Sequence, residues 1–297
     1  MEITAVVPML ESVIELASIY SLVTLGLVFS FRMVGFADLT IESSFTTGAA
    51  VCGVLLSGTG CSPSCALLLA ASAGALAGTL TALLHVKGRI SRLLSGIIMM
   101  TILYSANLQI MGKSNIQLLS AATVLDRLSP HVRPIVLLIG ALTLFLTAFL
   151  FLKTHLGYLL RTCGESPQVV AKLGHNSGVL IVLALATSNA LTAFSGALAA
   201  QYSGYSDVGM GTGLIVAALA ALILGEAVCS PKSLTRLLVA AFVGSLLYRL
   251  AFELGLRMNI HPWNLRIAVG LLLAVSLVAK QTIINKRGQL VVGVEAL

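Results

Sequence analysis

Long apolar stretches, separated by short polar segments, fill most of this chain. A helix needs about 20 apolar residues to cross the ~30 Å apolar core of a bilayer, and fewer if it is broken or re-entrant. This rule predicts an all-α polytopic membrane protein with about nine spanning helices, in a range of eight to ten. The predicted spans lie near residues 12–31, 43–57, 64–85, 92–110, 134–152, 179–201, 212–229, 235–252 and 264–280.

The composition requires lipid as part of the solvent. Hydrophobic residues make up 58% of the 297 positions, charged residues make up 10%, and the mean hydropathy is +1.01. A soluble domain cannot bury that much apolar surface, and no such domain fits between the predicted spans. We therefore expect one transmembrane domain over residues 1–297, with the lipid bilayer as its surroundings.

Charge predicts the orientation of the chain. The net charge is +7, but the basic residues are spread between apolar runs instead of being clustered with aromatic residues, so the pattern does not indicate nucleic-acid binding. Basic residues of short loops stay preferentially in the cytoplasm. One phase of the spans puts twelve of the 18 Lys and Arg residues on one side, which predicts a cytoplasmic carboxyl terminus and an external amino terminus. These twelve are Arg32, Lys87, Arg89, Arg92, Lys153, Arg161, Lys172, Lys232, Arg236, Lys280, Lys286 and Arg287.

A short polar helix is predicted in the cytoplasmic loop at residues 153–178. Ser166 suits the N-cap, Pro167 suits the first helical position, and Gly174 can adopt the left-handed conformation that ends a helix. A helix of about two turns is marginal alone in water, so it must pack against something. Its apolar residues leave two interpretations open, a helix on the lipid surface or a docking element for a cytoplasmic partner.

The stretch GFADLTIESSFTTGAA, residues 35–50, is too polar for a regular span. Asp38 and Glu42 stand four apart, and Ser43 follows. One interpretation is a broken or re-entrant element, whose irregular backbone is tolerated only against protein or a water-filled cavity. The other is a cytoplasmic turn with an N-capped helix, in which Asp38 or Ser43 is the cap. The two interpretations are compatible.

Further polar residues lie within or between the predicted spans. Tyr104 and Asn107 are three apart and could share one helix face, while Asn189 lies near the middle of the sixth span. Interhelical hydrogen bonding and a place on a transport pathway both explain such residues. A second Gly-rich break, QYSGYSDVGMGTG at residues 201–213, is predicted to be a solvated outer loop.

Small residues predict close helix packing. In the third span Ala70, Gly74 and Gly78 lie four apart, and the sixth span contains Ser195, Gly196 and Ala197. Such residues let neighbouring helices approach closely inside a membrane. We expect these positions to serve architecture and not solute binding.

The sequence contains no recognisable catalytic or metal-binding pattern. The histidines form no HExxH motif or triad, and the five cysteines show no metal-ligand spacing. The GKS of MGKSN lacks the upstream glycine of a phosphate-binding loop, since Asn107 stands in its place. We therefore expect no catalytic residue, metal or cofactor on this chain, so that any ATP and Mg²⁺ would be bound by a separate subunit.

Four stretches together resemble the permease subunits of bacterial ABC importers of the branched-chain amino acid and ribose class, and are most similar to the tryptophan/tyrosine-type subgroup. They are FADLTIESSFTTGAAV, GIIMMTILYSANLQIMGKSNIQLL, LGYLLRTCGESPQVVAKLGHNSG and YSGYSDVGMGTGLIVAALAALILGE. The likeness runs from about Phe36 to Glu226. It departs from the class at Cys163, where alanine or valine is usual, and at His175, where isoleucine or valine is common.

The resemblance implies a permease in the bacterial inner membrane that moves a small solute by alternating access. For the subgroup that it resembles most, the implied solute is an amino acid of the aromatic type. It implies three partners, namely ATP-binding-cassette ATPase subunits, an extracytoplasmic solute-binding protein and a second permease copy, most simply in a homodimer. The ATPase-coupling residues that it implies are Arg161, Gly164, Glu165, Val170, Ala171, Leu173 and Gly174. The residues expected on the translocation pathway are Asp38, Glu42, Ser43, Tyr104, Asn107 and Asn189.

An ion-coupled secondary transporter is the alternative. In that class intramembrane carboxylates such as Asp38 would bind the coupling ion. Such folds usually repeat interrupted spans in two halves, and this sequence shows no convincing internal repeat. The capped cytoplasmic helix would also have no evident role there.

Overall fold

A computed structural model describes residues 3–258 except 59, 120, 127, 231 and 232, and also residues 264, 267 and 270. Helices dominate the described part, as predicted. The ten α-helices in this part are α1 Ile3–Leu27, α2 Thr40–Gly58, α3 Pro63–Val86, α4 Arg92–Met111, α5 Arg133–Lys153, α6 His155–Glu165, α7 Pro167–Lys172, α8 Ser177–Ser203, α9 Leu214–Cys229 and α10 Leu234–Arg257. A π-helical segment, Val28–Met33, continues α1, and two short strands, β1 Asn115–Gln117 and β2 Tyr205–Asp207, pair with each other.

Six helices in the described residues are long and apolar enough to cross a membrane: α1 with its π-helical extension, α3, α4, α5, α8 and α10. The polytopic helical fold is confirmed, but the count of about nine is not. Two of the other predicted spans are helices that fall short, because α2 starts with a polar turn and α9 has only 16 residues. The predicted span 264–280 lies outside the described residues.

Helix α8 lies at the centre of the bundle, where it packs against α1, α2 and α3. The approach is close because glycines stand at the crossings, as the small-residue pattern predicted. A Cβ on Gly196 or Gly48 would overlap a backbone carbonyl across the α2–α8 crossing, and one on Gly74 would do so across the α3–α8 crossing. Lipid tails are as apolar as the side chains, so helices in a membrane gain little from the hydrophobic effect. The small residues instead allow close van der Waals contact between the helices.

The strands β1 and β2 place two predicted outer loops on the same side of the bundle. They pair antiparallel, with Asn115 opposite Asp207 and Gln117 opposite Tyr205. At the other end of the bundle, Gly164 of α6 lies against the backbone of Met33. This arrangement agrees with the predicted alternation of sides.

The re-entrant element of the structure is not the one that the sequence indicated. Helix α2 runs without a break from Thr40, so the expected interruption within residues 35–50 is confined to the turn at 34–39 before it. The chain after β2 turns back instead. Ser206 lies beside Gly53 of α2, whereas the Gly211 N–H donates to Thr46 Oγ1 at 3.2 Å. Those two α2 positions are about 10 Å apart along the helix axis, so the segment 208–213 dips into the bundle and α9 starts there.

Candidate functional site

The predicted polar helix is α7, which follows α6 across a sharp corner at Ser166. Pro167 occupies the first helical position and Gly174 has φ +78°, both as predicted. Ser166 has the extended backbone of an N-cap, but its side chain makes no capping hydrogen bond. The corner is held from the α6 side, where Gly164 packs so tightly against the Met33 carbonyl that no Cβ would fit.

Arg161, one of the basic residues of this loop, anchors α6. Arg161 Nη2 donates to the carbonyl of Leu152 at 3.2 Å, and Nε donates to the carbonyl of Gly157 at 3.4 Å. The guanidinium also lies over the ring of Tyr158. Arg161 therefore ties the carboxyl-terminal end of α5 to α6, so that α7 sits on a fixed support.

The apolar residues of α7 are divided between two faces. Val170 is fully buried against the rest of the chain, whereas Val169 is 44% exposed and Leu173 is 57% exposed. Glu165, Ala171 and Gly174 are also exposed. Val170 thus fixes α7 to its own domain, and the outward face, which we call the α7 face and define by Val169 and Leu173, is left for lipid or a partner.

The surroundings of Cys163 are those of a small packing residue. It is buried in α6, and its thiol lies 3.8 Å from the Ser177 carbonyl. Burial raises the pKa of the Cys163 thiol, so the group stays protonated at neutral pH. The departure from the alanine or valine expected there therefore changes the chemistry of the loop little.

Asp38 and Asn189 meet in the interior of the bundle. The Thr40 N–H donates to Asp38 Oδ1 at 2.9 Å, so Asp38 caps α2 as one of the interpretations proposed. Asn189 Nδ2 donates to Asp38 Oδ2 at 2.7 Å and to the Leu185 carbonyl at 2.9 Å. Both side chains are completely buried. The pair joins the start of α2 to the middle of α8 across 151 sequence positions.

The second polar contact of α2 is with α4. Ser43 Oγ donates to the Met100 carbonyl at 3.0 Å, and Asn107 Nδ2 donates to the Ser43 carbonyl at 3.3 Å. Tyr104 does not join them, because it is 54% exposed while Asn107 is buried. Residues three apart on a helix lie only about 60° apart around its axis. Tyr104 therefore lies at the exposed edge of this packed face, and only Asn107 lies within it.

Glu42 contacts the re-entrant segment. Its Oε1 accepts from the Ile215 N–H of the first turn of α9 at 3.3 Å, while Gly211 packs on its backbone carbonyl. A carboxylate at a helix N-terminus is favoured by the unsatisfied N–H groups there. Of the six predicted pathway residues, five thus touch α2 or lie on it, but in separate contacts and not in one cluster.

One ion pair was missed by the sequence argument. Arg32, in the π-helical segment, pairs with Glu226 near the end of α9. In the sequence, Arg32 contributes only to the charge that predicts orientation, and Glu226 lies in the seventh predicted span. Their separation of 194 positions leaves no local signal that would pair them.

We expect Asn189→Ala to lower the free energy of unfolding by about 1–3 kcal/mol, because it leaves a buried Asp38 oxygen without its partner. The measurement is thermal unfolding of the purified protein in detergent. Thr187→Ala is the control in the same helix, since the Thr187 hydroxyl donates only to the Leu183 carbonyl within α8. Equal unfolding temperatures for the two variants would contradict a structural role for the Asp38–Asn189 contact.

Comparison with known proteins gives a consistent set of similarities. The family described as the permease component of branched-chain amino acid transport systems matches residues 9–277. A "Tyrosine transport system permease protein" of Clostridioides difficile (strain R20291) is 36% identical over 263 residues, which cover 88% of each chain. An uncharacterized protein of Rickettsia prowazekii (strain Madrid E) is 30% identical over 257 residues, covering 85% of this chain and 91% of that one. No solved structure matches the chain.

Proposed function

The chain belongs to the permease family of branched-chain amino acid transport systems, and we propose that it forms the translocation pathway of an importer for tyrosine or a related aromatic amino acid. As a permease of the ABC importer class, it is a multi-pass membrane protein that works with ATPase and solute-binding subunits. The solute is proposed on the printed name of the Clostridioides difficile relative. Substrate specificity within such a family varies, so the solute needs a direct test.

The α7 face is the single observation that carries the coupling proposal. A six-residue helix is too short to be stable alone, yet α7 is held by the buried Val170 and by the support that Arg161 gives to α6. Two large apolar residues, Val169 and Leu173, remain exposed on it. A rigid knob with an apolar face suits insertion into a groove of an ATPase subunit. In this proposal α7 transmits the movement of the ATPase to the bundle.

The buried polar contacts around α2 support the pathway proposal. Asn107 Oδ1 and Asn189 Oδ1 are buried acceptors that have no hydrogen-bond partner among the described residues. Buried amide oxygens of this kind are usually satisfied, by water if not by protein. We infer that movement of α2 against α4 and α8 opens these acceptors to water or solute during alternating access. Asp38, Glu42 and Ser43 on or beside α2 would move with them, whereas Tyr104 would face lipid or the second permease copy.

The remaining parts of the proposal concern assembly and placement. The permease would pair with a second copy, engage the ATPase on the side of α6 and α7, and meet the solute-binding protein on the side of β1 and β2. The side of α6 and α7 would be the cytoplasmic one of the inner membrane. The cytoplasmic carboxyl terminus stays a prediction, because it lies outside the described residues.

Purification of the tagged permease from its own host in mild detergent tests the assembly. We expect an ATPase subunit with a phosphate-binding loop to co-purify, and the complex to take up L-tyrosine into vesicles only when ATP is present inside the compartment that holds the ATPase. A permease that purifies without an ATPase and moves solute under an ion gradient would contradict the proposal and favour a secondary transporter.

A further inference from the structure

A cavity of about 340 Å³ lies between α1, the start of α9 and α10. Its size falls within the ~300–1,000 Å³ of typical small-molecule sites. Most of its lining is apolar, including Val23, Leu214 and Phe252. Among the described residues, Arg249 is the one charged side chain that lines it, and Tyr20 is among its aromatic residues. None of the residues predicted from sequence to line the pathway lies on this cavity.

Arg249 is an ionisable residue inside a membrane span. It lies eight positions before the end of α10 at Arg257, which places it about 12 Å inside the helix end. A charge at the centre of a spanning helix costs roughly 2.5–3.5 kcal/mol on insertion scales. Such residues mark functional sites more often than structural ones. Arg249 also falls within the predicted span 235–252.

The contacts of Arg249 leave its charge without a counter-ion. Its guanidinium lies 5.8 Å from the ring centre of Tyr20 and 5.3 Å from that of Phe252. Both are cation–π distances, which hold the group in place but do not neutralise it. Its Nε is buried and has no hydrogen-bond partner in the part of the chain that the structure describes. Among the described residues, no carboxylate lies within ion-pair distance of Arg249.

The start of α9 also borders the cavity. Gly213, in the left-handed conformation, is the N-cap of α9 and offers no side-chain cap, and both Gly213 and Leu214 line the cavity. The Glu42 carboxylate accepts from the Ile215 N–H in the same turn, so it offsets the positive end of the helix dipole. Arg249 therefore supplies the positive charge that an anion in the cavity would meet.

We propose that this cavity binds the carboxylate of the transported amino acid, with Arg249 as its anchor. The inference rests on the proposed function, and it assigns the solute class to a place in the fold. A planar guanidinium can bind a carboxylate through two parallel, charge-assisted hydrogen bonds. A hydroxyl or amide group on the solute would not form this pair. The apolar walls and the ring of Tyr20 then receive an aromatic side chain.

The test is uptake by the full assembly of permease, ATPase and binding protein in vesicles, with radiolabelled L-tyrosine as the probe. We expect Arg249→Gln to lower the uptake rate at least tenfold, and Arg249→Lys to retain more activity than the glutamine variant because it keeps the charge. Arg236→Gln is the matched control, since Arg236 is exposed at the other end of α10. It should transport like the wild type.

A second variant separates loss of the site from loss of the fold. Ala217 lines the cavity on α9, and Ala217→Phe should block uptake by filling the space while Arg249 remains. ATPase co-purification and the elution volume on gel filtration should match the wild type for both variants. Full uptake by Arg249→Gln, in an assembly whose wild type transports, would overturn the site and leave the importer proposal intact.

Three other outcomes would also overturn it. Loss of the second permease copy in Arg249→Gln would show that Arg249 is an interface residue that pairs with the partner copy. Equal uptake by the wild type and Arg249→Gln in vesicles of zwitterionic phosphatidylcholine alone, but not in vesicles with anionic phosphatidylglycerol, would assign the cation to an anionic lipid headgroup. A correctly assembled wild type that transports no amino acid would contradict the proposed function itself.

Discussion

Replacing Gly196 by valine is expected to remove most of the folded permease from the membrane. Gly196 lies where α8 crosses α2, and a Cβ there would overlap the carbonyl oxygen of Phe45. Because the obstacle is backbone and not a flexible side chain, the helices must separate along the crossing. Overpacking of this kind costs about 3 kcal/mol. The same movement would disturb the neighbouring contact of Gly48 with Ala193.

The measurement is the yield of monodisperse protein in detergent together with its thermal unfolding temperature, which we expect to fall by roughly 10 °C. Gly140→Val is the matched control, because Gly140 lies within α5 and a Cβ added there meets nothing within 4 Å. An unfolding temperature for Gly196→Val equal to that of the control would mean that the α2–α8 crossing is looser than the structure has it.

Replacing Val169 by aspartate is expected to abolish uptake while leaving the permease folded. The side chain is 44% exposed on the α7 face, so the fold does not depend on it. If α7 inserts into a groove of the ATPase, the change places an unpaired charge in an apolar contact. Burial of an unpaired charge at the centre of an interface is among the most damaging single changes to binding. Solute uptake and ATPase co-purification should both fall to background.

Val132→Asp is the control for the introduced charge. Val132 is also a valine with 42% exposure, at the start of α5 on the side of β1 and β2. Leu173→Asp should behave like Val169→Asp, since Leu173 shares the α7 face. Normal uptake by both α7 variants would show that this face meets lipid. Val170 is unsuitable for the test because its burial would make the aspartate variant unstable.

The capping interpretation of the polar stretch at residues 35–50 is supported by one residue. Asp38 caps α2 through the Thr40 N–H and also binds Asn189 of α8. The capping role follows from the local pattern of an acidic residue just before a helix. The second contact does not, because it joins parts of the chain 151 positions apart. Sequence patterns report neighbours along the chain, whereas a buried partner depends on how the helices cross.

Residues 201–213 show a second case in which the local pattern did not reveal a tertiary contact. Here a predicted solvated loop packs partly against α2. Their glycines and polar residues favoured a solvated outer loop, and Tyr205 is indeed exposed. The second half, however, packs against Thr46 and the carbonyl of Glu42. Glycine permits both a free loop and a close backbone approach, so its presence alone does not distinguish them.

The sequence alone was sufficient for the membrane class, the alternation of sides, the tight packing at small residues and the position of the short helix α7. These features depend on local composition and on helical period, which act over one or two turns. Only the tertiary structure decided which faces of the helices are buried. In the structure Val170 is buried and Tyr104 is exposed. Helix α9 begins inside the bundle, and Arg249 lies on a cavity beside Tyr20. Each of these results depends on contacts between helices that are distant in sequence, whose crossing angles and depths no local pattern records.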